Sequence, residues 1–252
     1  MGVAEDDGYA EEELDVERAR VTSELIAGVR GLPASEVPEA LCRACVSLLP
    51  VASGLSVSVL GDSTDMGVVL CASDSVAARL AEIQYTLGEG PGMEAVRLRA
   101  PVFATDLTRP PATRRWPLFS VQAAKAGAEA AFSLPLAGGA GALGTLDLYR
   151  ETSGSLSDDH IRTALLVADA VALAVIALDH ASARREGVVT WLAAAEADRE
   201  EVHQATGMMM VRLGVNAEEA LLRLRARAFA EGRTTTEIAR GVIDGTLDLR
   251  DD

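Results

Sequence analysis

Helix stop and start signals fall so densely between His203 and Ile243 that only short helices fit between them. Gly214 follows Leu213, where a helix-ending glycine belongs. Asn216 with Glu219, and Thr234 with Glu237, each place a capping side chain three residues ahead of a glutamate. This spacing predicts helices near 195–213, 217–231 and 235–247. Their predicted core is Val202, Met209, Leu213, Ala220, Leu221, Leu224, Phe229, Ile238 and Val242. So small a bundle is marginal alone, which favours cover from a partner chain.

The chain ahead of this bundle reads as a mixture of strands and helices. Leu55-Ser56-Val57-Ser58-Val59-Leu60 alternates with period two, the pattern of a half-buried strand, and Val68–Ala72 is its expected partner across a turn opened by Gly61-Asp62. Further strands are expected at Pro101–Thr105, Ala130–Leu136 and Ala142–Tyr149, the last two joined through a loop at Ala137–Gly141. Helices are expected from Val16 to Val29, from Pro38 through Leu41, Cys45, Leu48 and Leu49, and over 74–85. A long helix capped by Ser157 should bury Ile161, Leu165, Ala168, Val171, Val175 and Leu178, with Gly187 placed to break or bend it. A second helical stretch from Val188 then follows with almost no linker, and Val188, Val189, Trp191 and Leu192 have little to cover them except another chain.

Charge divides the chain. The net charge is −15, which on its face opposes contact with nucleic-acid phosphates. Eight acids and no base lie between Glu5 and Glu17, so residues 1–15 read as a solvated, disordered acidic tail. From Gly207 to Arg240, by contrast, six arginines face four acids, leaving that segment locally about +2. No apolar run near the ~20 residues of a membrane helix and no secretory signal are expected from the sequence. Three cysteines are too few, and odd in number, for a disulfide scaffold, so a cytoplasmic protein is expected.

Residues about 199–247 resemble the ANTAR domain of transcription antitermination regulators. The likeness rests on Arg199, Val202, Gln204-Ala205, Gly207-Met208, Leu213-Gly214-Val215, Glu219-Ala220, Leu224-Arg225, Ala228 and Ile238-Ala239. Thr206 stands where many members carry Lys. Residues about 20–180 resemble a GAF domain, of the kind often joined to ANTAR in actinobacteria. That likeness rests on Gln84–Gly92, Pro101-Val102, Asp106-Leu107, Arg115-Trp116-Pro117, Leu134-Pro135-Leu136 and Gly144–Tyr149. Gly92 stands where relatives often have Cys, so no thiol chemistry carries over there. Together the resemblances imply an α+β protein. Its parts are the tail (1–15), a GAF-like sensor with an antiparallel sheet flanked by helices (16–180), a connecting helix (181–198) able to pair as a dimer coiled coil, and a three-helix ANTAR bundle (199–247).

RNA loops are read by stacking, base-edge hydrogen bonds and phosphate contacts. Ala205 and Gly207 let a phosphate or ribose approach the helix backbone, and the Gln204 amide can both donate and accept. Thr206, Met208, Arg212 and Arg233 complete the expected RNA-binding set with Arg223, Arg225 and Arg227. Helical geometry puts Arg223 and Arg227 on one face and Arg225 opposite, so Arg225 is either an RNA contact or a cap on the bundle. The Met208-Met209-Met210 run reads first as core packing. In the sensor, Tyr85, Trp116, Phe119 and Phe132 are candidate pocket walls or core, and Leu87–Pro91 is either an anion seat or a tight turn. His160, His180 and His203 lie outside the pocket, and Cys42 with Cys45 reads as buried apolar packing, so no metal or cofactor is expected beyond an unidentified small-molecule ligand. No catalytic set assembles, and the expectation is a non-enzyme.

Two functions remain open at this level. The resemblance implies a signal-responsive antitermination regulator, a homodimer whose protomers each bind one loop of a paired RNA stem-loop. The other is a signalling adaptor whose GAF domain binds a protein partner and whose helices dimerise.

Overall fold

A computed structural model describes residues 4–33, 35–60, 67–138, 141–183 and 191–247. The sheet comes from five strands, β1 (Gly54–Leu60), β2 (Gly67–Ala72), β3 (Val102–Ala104), β4 (Ala130–Gly138) and β5 (Gly141–Arg150), in the order β2-β1-β5-β4-β3. Every neighbouring pair is antiparallel. The hairpin ladder of β4 and β5 continues to the pair Gly138 and Gly141, so both strands run further into the loop expected at 137–141. The turn expected at Gly61-Asp62 lies outside the described residues.

Both faces of the sheet are covered. On one side lie α1 (Ala4–Val29), α2 (Val37–Leu48) and α7 (Asp158–Ala183), which meet Leu55, Val57, Phe132, Leu134, Leu146 and Leu148 in the larger core. Cys42, Cys45 and Cys71 are buried, unbridged members of that core. Burial pushes the Cys45 thiol up to about 12, so it packs as an apolar group. On the other side lie α3 (Ser75–Leu87), α4 (Pro91–Leu98), α5 (Ala112–Arg115) and α6 (Pro117–Lys125), around Ile83, Trp116, Phe119 and Tyr149.

This second helical layer changes how β1 must be read. Alternation predicts one wet face, yet Ser56 and Ser58 are buried like their apolar neighbours. Their hydroxyls turn towards α3 and α4 while Leu55 and Val57 turn towards α2 and α7. The sheet therefore has one apolar face and one face rich in buried hydroxyls, joined there by Ser133, Thr145 and the carboxylate of Asp147.

Other expectations need correction. Residues 4–15 are the first half of α1 rather than a disordered tail. Its register carries on into Val21 and Leu25, which are buried against the core and anchor the helix. In α7 the buried stripe is Ala164, Val167, Ala168, Val171 and Val175, and Leu165 is largely exposed because it falls one residue off that stripe. Residues Asp158–Ala177 also form a helix long and apolar enough to cross a membrane, contrary to the sequence reading. Here that helix packs as a core element against β4 and α1. Residues 184–190, with the expected bend at Gly187 and the uncovered Val188 and Val189, lie outside the described residues.

The C-terminal bundle comprises α8 (Trp191–Leu213), α9 (Ala217–Glu231) and α10 (Thr235–Ile243). Gly214 takes φ 66 and donates to the Met210 carbonyl, ending α8 as anticipated. Asn216 accepts from the Glu219 N–H at the start of α9. Thr234 and Glu237 cap α10 reciprocally. The last helix ends at Ile243, four residues before the predicted end, as the chain turns through Asp244 and Gly245. Val202, Met209, Ala220, Leu224, Ile238 and Val242 form the bundle core. Phe229, expected there, is instead 43% exposed, and Ala228 takes the interior position.

Candidate RNA-facing surface and sensor cleft

The bundle sits against the sheet domain. α8 runs beside β2, the edge strand with an unpaired side, and α9 packs on α3. At this seam the Thr235 hydroxyl donates to that of Thr86 at 3.2 Å, both residues being buried. Tyr85 packs on the bundle core, and the Arg225 guanidinium carbon lies 5.9 Å from the Tyr85 ring centre, within cation–π range. Burial pulls the Arg225 pKa down while Tyr85 acts in the other direction. Arg225 thus neither lies open to solvent nor caps its own bundle, but bridges the two domains.

The other expected RNA-binding residues divide into two sets. On α8, Gln204, Gly207 and Arg212 are exposed, and Met208 is half-buried. A Cβ placed on Gly207 would meet nothing within 4 Å, so a ligand can reach the helix backbone there. Ala205 and Thr206 do not join that surface. Ala205 is fully buried, and Thr206 is buried with its hydroxyl donating to the Val202 carbonyl at 2.7 Å. Their positions in the helical period turn them inward, so neither side chain is offered to RNA. On α9, Arg223 and Arg227 share a face as predicted, pairing with Glu219 at 2.7 Å and Glu231 at 2.6 Å. Arg233 reaches Glu231 at 3.1 Å and the Glu237 carbonyl at 3.0 Å. Such solvent-facing pairs hold the side chains loosely, because solvent screens them and ordering two long side chains costs entropy.

The four pocket aromatics do not converge. Phe132 lies in the larger core, edge-on to Phe103 at 5.7 Å, on the far side of the sheet. Phe119 is buried in the second helical layer. Tyr85 and Trp116 each wall a cavity, and these are two different cavities. Tyr85 walls a small recess of about 30 Å³ between α3, α4 and the hydroxyl-rich sheet face. Trp116 walls a cleft of about 620 Å³ beside α4, into which Arg97, Arg99 and Arg115 project.

The small space is floored by Asp147. Its carboxylate accepts from the Ser133 hydroxyl at 2.5 Å and the Thr145 hydroxyl at 2.6 Å. Burial raises its pKa, and the two hydroxyl bonds pull the other way. Gln84 closes the roof, its Oε1 accepting from the Gly92 N–H at 2.7 Å. That bond takes up the Gly92 N–H at the start of α4, just after the Leu87–Pro91 turn. Glu89 in the same turn accepts from the N–H groups of Leu118 and Phe119, both at 2.7 Å, and so fixes the start of α6. At the cleft, Glu94 accepts from Arg115 at 2.6 Å, Arg97 at 3.1 Å and the Trp116 indole N–H at 3.1 Å. The Arg115 bond chiefly holds the Glu94 carboxyl below the usual carboxylate range.

Sequence reasoning missed Asp147, Gln84, Glu94 and the three arginines. Asp147 carried a signal, being the acid in a strand whose same-face neighbours are Thr145 and Tyr149. The arginines carried none, since α4 and α5 bring residues 97, 99 and 115 together only in the fold. Among the described residues no group of three or more His, Cys, Asp or Glu side chains is placed to hold a metal ion.

Two family models match the chain, a GAF domain over residues 32–176 and an ANTAR domain over residues 191–243. Among solved structures, the chain is similar to the GAF domain from a phosphoenolpyruvate-protein phosphotransferase of Coxiella burnetii. The two are 14% identical, with a TM-score of 0.50 over 67% of this chain and 98% of that one. The GAF domain from an Acinetobacter phosphoenolpyruvate-protein phosphotransferase is 10% identical, with a TM-score of 0.49 over 67% of this chain and 98% of that one. At 14% identity the Coxiella likeness speaks to fold alone. No curated protein matches the chain.

Proposed function

Because this chain belongs to the GAF domain family and carries an ANTAR domain after it, we propose that it is a non-enzymatic, signal-controlled regulator of transcription antitermination. In this reading it is a cytoplasmic homodimer that binds paired RNA stem-loops, one loop per protomer. Holding the stem-loops keeps a competing terminator from forming.

The observation that carries the reading is the outer face of α8. Gly207 leaves its backbone open between exposed Gln204 and Arg212. A ribose or phosphate can lie against that backbone while the Gln204 amide reads a base edge and Arg212 neutralises phosphate. Arg223 and Arg227 add charge on α9, where their weak pairs with glutamates exchange readily for phosphate.

Control by the sensor is supported by the seam. α3 presents Tyr85 to the small recess on one side and to Arg225 on the other. A ligand that moves α3 therefore changes the footing of α9. It shifts the balance only through a difference in affinity for the docked and released arrangements. Pairing of two chains is supported by exposed Val16 and Ile26 on α1 and by Leu165 and Leu173 on α7, helices that pack on each other.

The test is a titration of the full chain with paired hairpins bearing A- and G-containing loops, and with the same hairpins scrambled, over a salt series. Saturable, salt-sensitive binding that prefers the intact loops is expected. Equal affinity for scrambled loops, or none for either, leaves the protein-binding adaptor as the better account.

A further inference from the structure

The GAF cleft beside α4 is built unlike an apolar sensor pocket. Glu94, with a side chain 11% exposed, draws Arg97 and Arg115 to the same oxygen, Oε1. Two guanidinium groups are thereby held side by side, although they repel one another. Each has five N–H donors, and Glu94 engages few of them. The remainder face outward, since the Arg97 and Arg115 side chains are 73% and 45% exposed. Trp116 fixes the assembly from below, donating its indole N–H to Glu94 Oε2 while the Arg115 guanidinium lies 5.0 Å from its ring centre.

A third guanidinium completes the cleft. Arg99 occupies the C-cap of α4 with φ 53, in the left-handed region where glycine is the ordinary choice. It engages no carboxylate among the described residues, and its side chain lines the same cleft. Among the described residues the walls thus carry three guanidiniums against two carboxylates, Glu94 and Glu89. Both acids are already engaged, Glu94 by the arginines and Glu89 by the N–H groups at the start of α6. In a chain of net charge −15, this is a locally cationic recess of about 620 Å³, a size that suits a small molecule.

We propose that the cleft beside α4 binds a small molecule through an oxyanion group, a phosphate or a carboxylate, gripped by Arg97, Arg99 and Arg115 with Glu94 as the bracket that orients two of them. The inference rests on the sensor reading of the GAF domain and gives its signal a chemical class. Planar guanidinium forks suit both oxyanions, and a tetrahedral phosphate offers enough oxygens to engage all three.

Isothermal titration of the full chain with pyrophosphate and, separately, with succinate tests this, with Trp116 fluorescence as a second readout in a Trp191→Phe background. Saturable binding of at least one probe is expected, weakening as salt rises. The probe that binds tells phosphate from carboxylate. Arg97→Gln and Arg99→Gly should each weaken it about tenfold or more, the loss typical of a charge-assisted hydrogen bond. Arg99→Gly suits the left-handed backbone, so its thermal melt should match or exceed that of the parent and exclude misfolding. Failure of both probes to bind, or binding that neither substitution weakens, overturns the proposal. The RNA titration and the behaviour of the seam do not depend on this result, so the sensor reading stands or falls separately.

Discussion

The guanidinium of Arg225 sits 5.9 Å from the centre of the Tyr85 ring, so a residue of the ANTAR motif is held by a side chain that also walls a recess in the GAF domain. Removing the ring should loosen the seam without disturbing the sheet. Tyr85→Ala is expected to cost about 0.5–2 kcal/mol in cation–π energy together with the lost packing. Amide exchange should quicken in α9 and α10 while β1, β4 and β5 keep their protection, and RNA affinity should rise as Arg225 is released. Unchanged exchange in α9 and α10 would show that the contact holds nothing in place.

Asp147 gives the fold a pH signature. Its pKa is raised in the folded state, chiefly by burial. The folded protein therefore holds that proton more tightly than the unfolded chain. The stability it contributes is full below the unfolded aspartate pKa of about 3.9 and is lost as pH rises through the folded value. Asp147→Asn cannot titrate there. Its melting temperature relative to the parent should climb with pH over that window and then level off. A difference that stays flat, or falls with pH, would contradict a raised Asp147 pKa.

Gly144 on β5 is paired with Val59 on β1, and a Cβ built on it would overlap the Ser58 backbone carbonyl. Backbone cannot rotate aside as a side chain can. Gly144→Ala should therefore destabilise the sheet by roughly 1–3 kcal/mol, in the range of overpacked positions. Gly207→Ala, with open space around its Cβ, should stabilise instead. Denaturant melts of the two variants should move in opposite directions.

Thr234 caps α10 by accepting from the Glu237 N–H at 3.1 Å, while Glu237 accepts from the Thr234 N–H at 2.8 Å. Thr234→Ala should cost about 1 kcal/mol. The loss should appear as faster exchange in the first turn of α10. A fall in stability without that local change would place the effect elsewhere.

How much of this was legible beforehand depended on how local each signal was. Caps and helix-ending glycines are properties of three or four adjacent residues. The end of α8 and the starts of α9 and α10 accordingly fell close to where Gly214, Asn216 and Thr234 put them. Burial of Ser56 and Ser58 was not legible, because alternation reports which residues share a face and not whether a second layer covers it. That layer includes α5, four residues long, and α6, which begins at Pro117, both too short to show a helical period. Phe229 and Ala228 are neighbours, and hydrophobicity alone favoured the wrong one for the interior. The arginine cleft depended on tertiary placement from the outset, since Arg115 meets Arg97 only through Glu94.

The most direct test of the account is the affinity of Gly207→Gln for paired hairpins, measured beside its thermal stability. The site is open and helical, so replacing glycine should stabilise α8 by roughly 0.5–1 kcal/mol. If RNA lies against the α8 backbone, the new side chain blocks it, and affinity should drop tenfold or more in a protein that melts at a higher temperature than its parent. Unaltered affinity in that well-folded variant would mean that RNA, if bound at all, does not lie on this face.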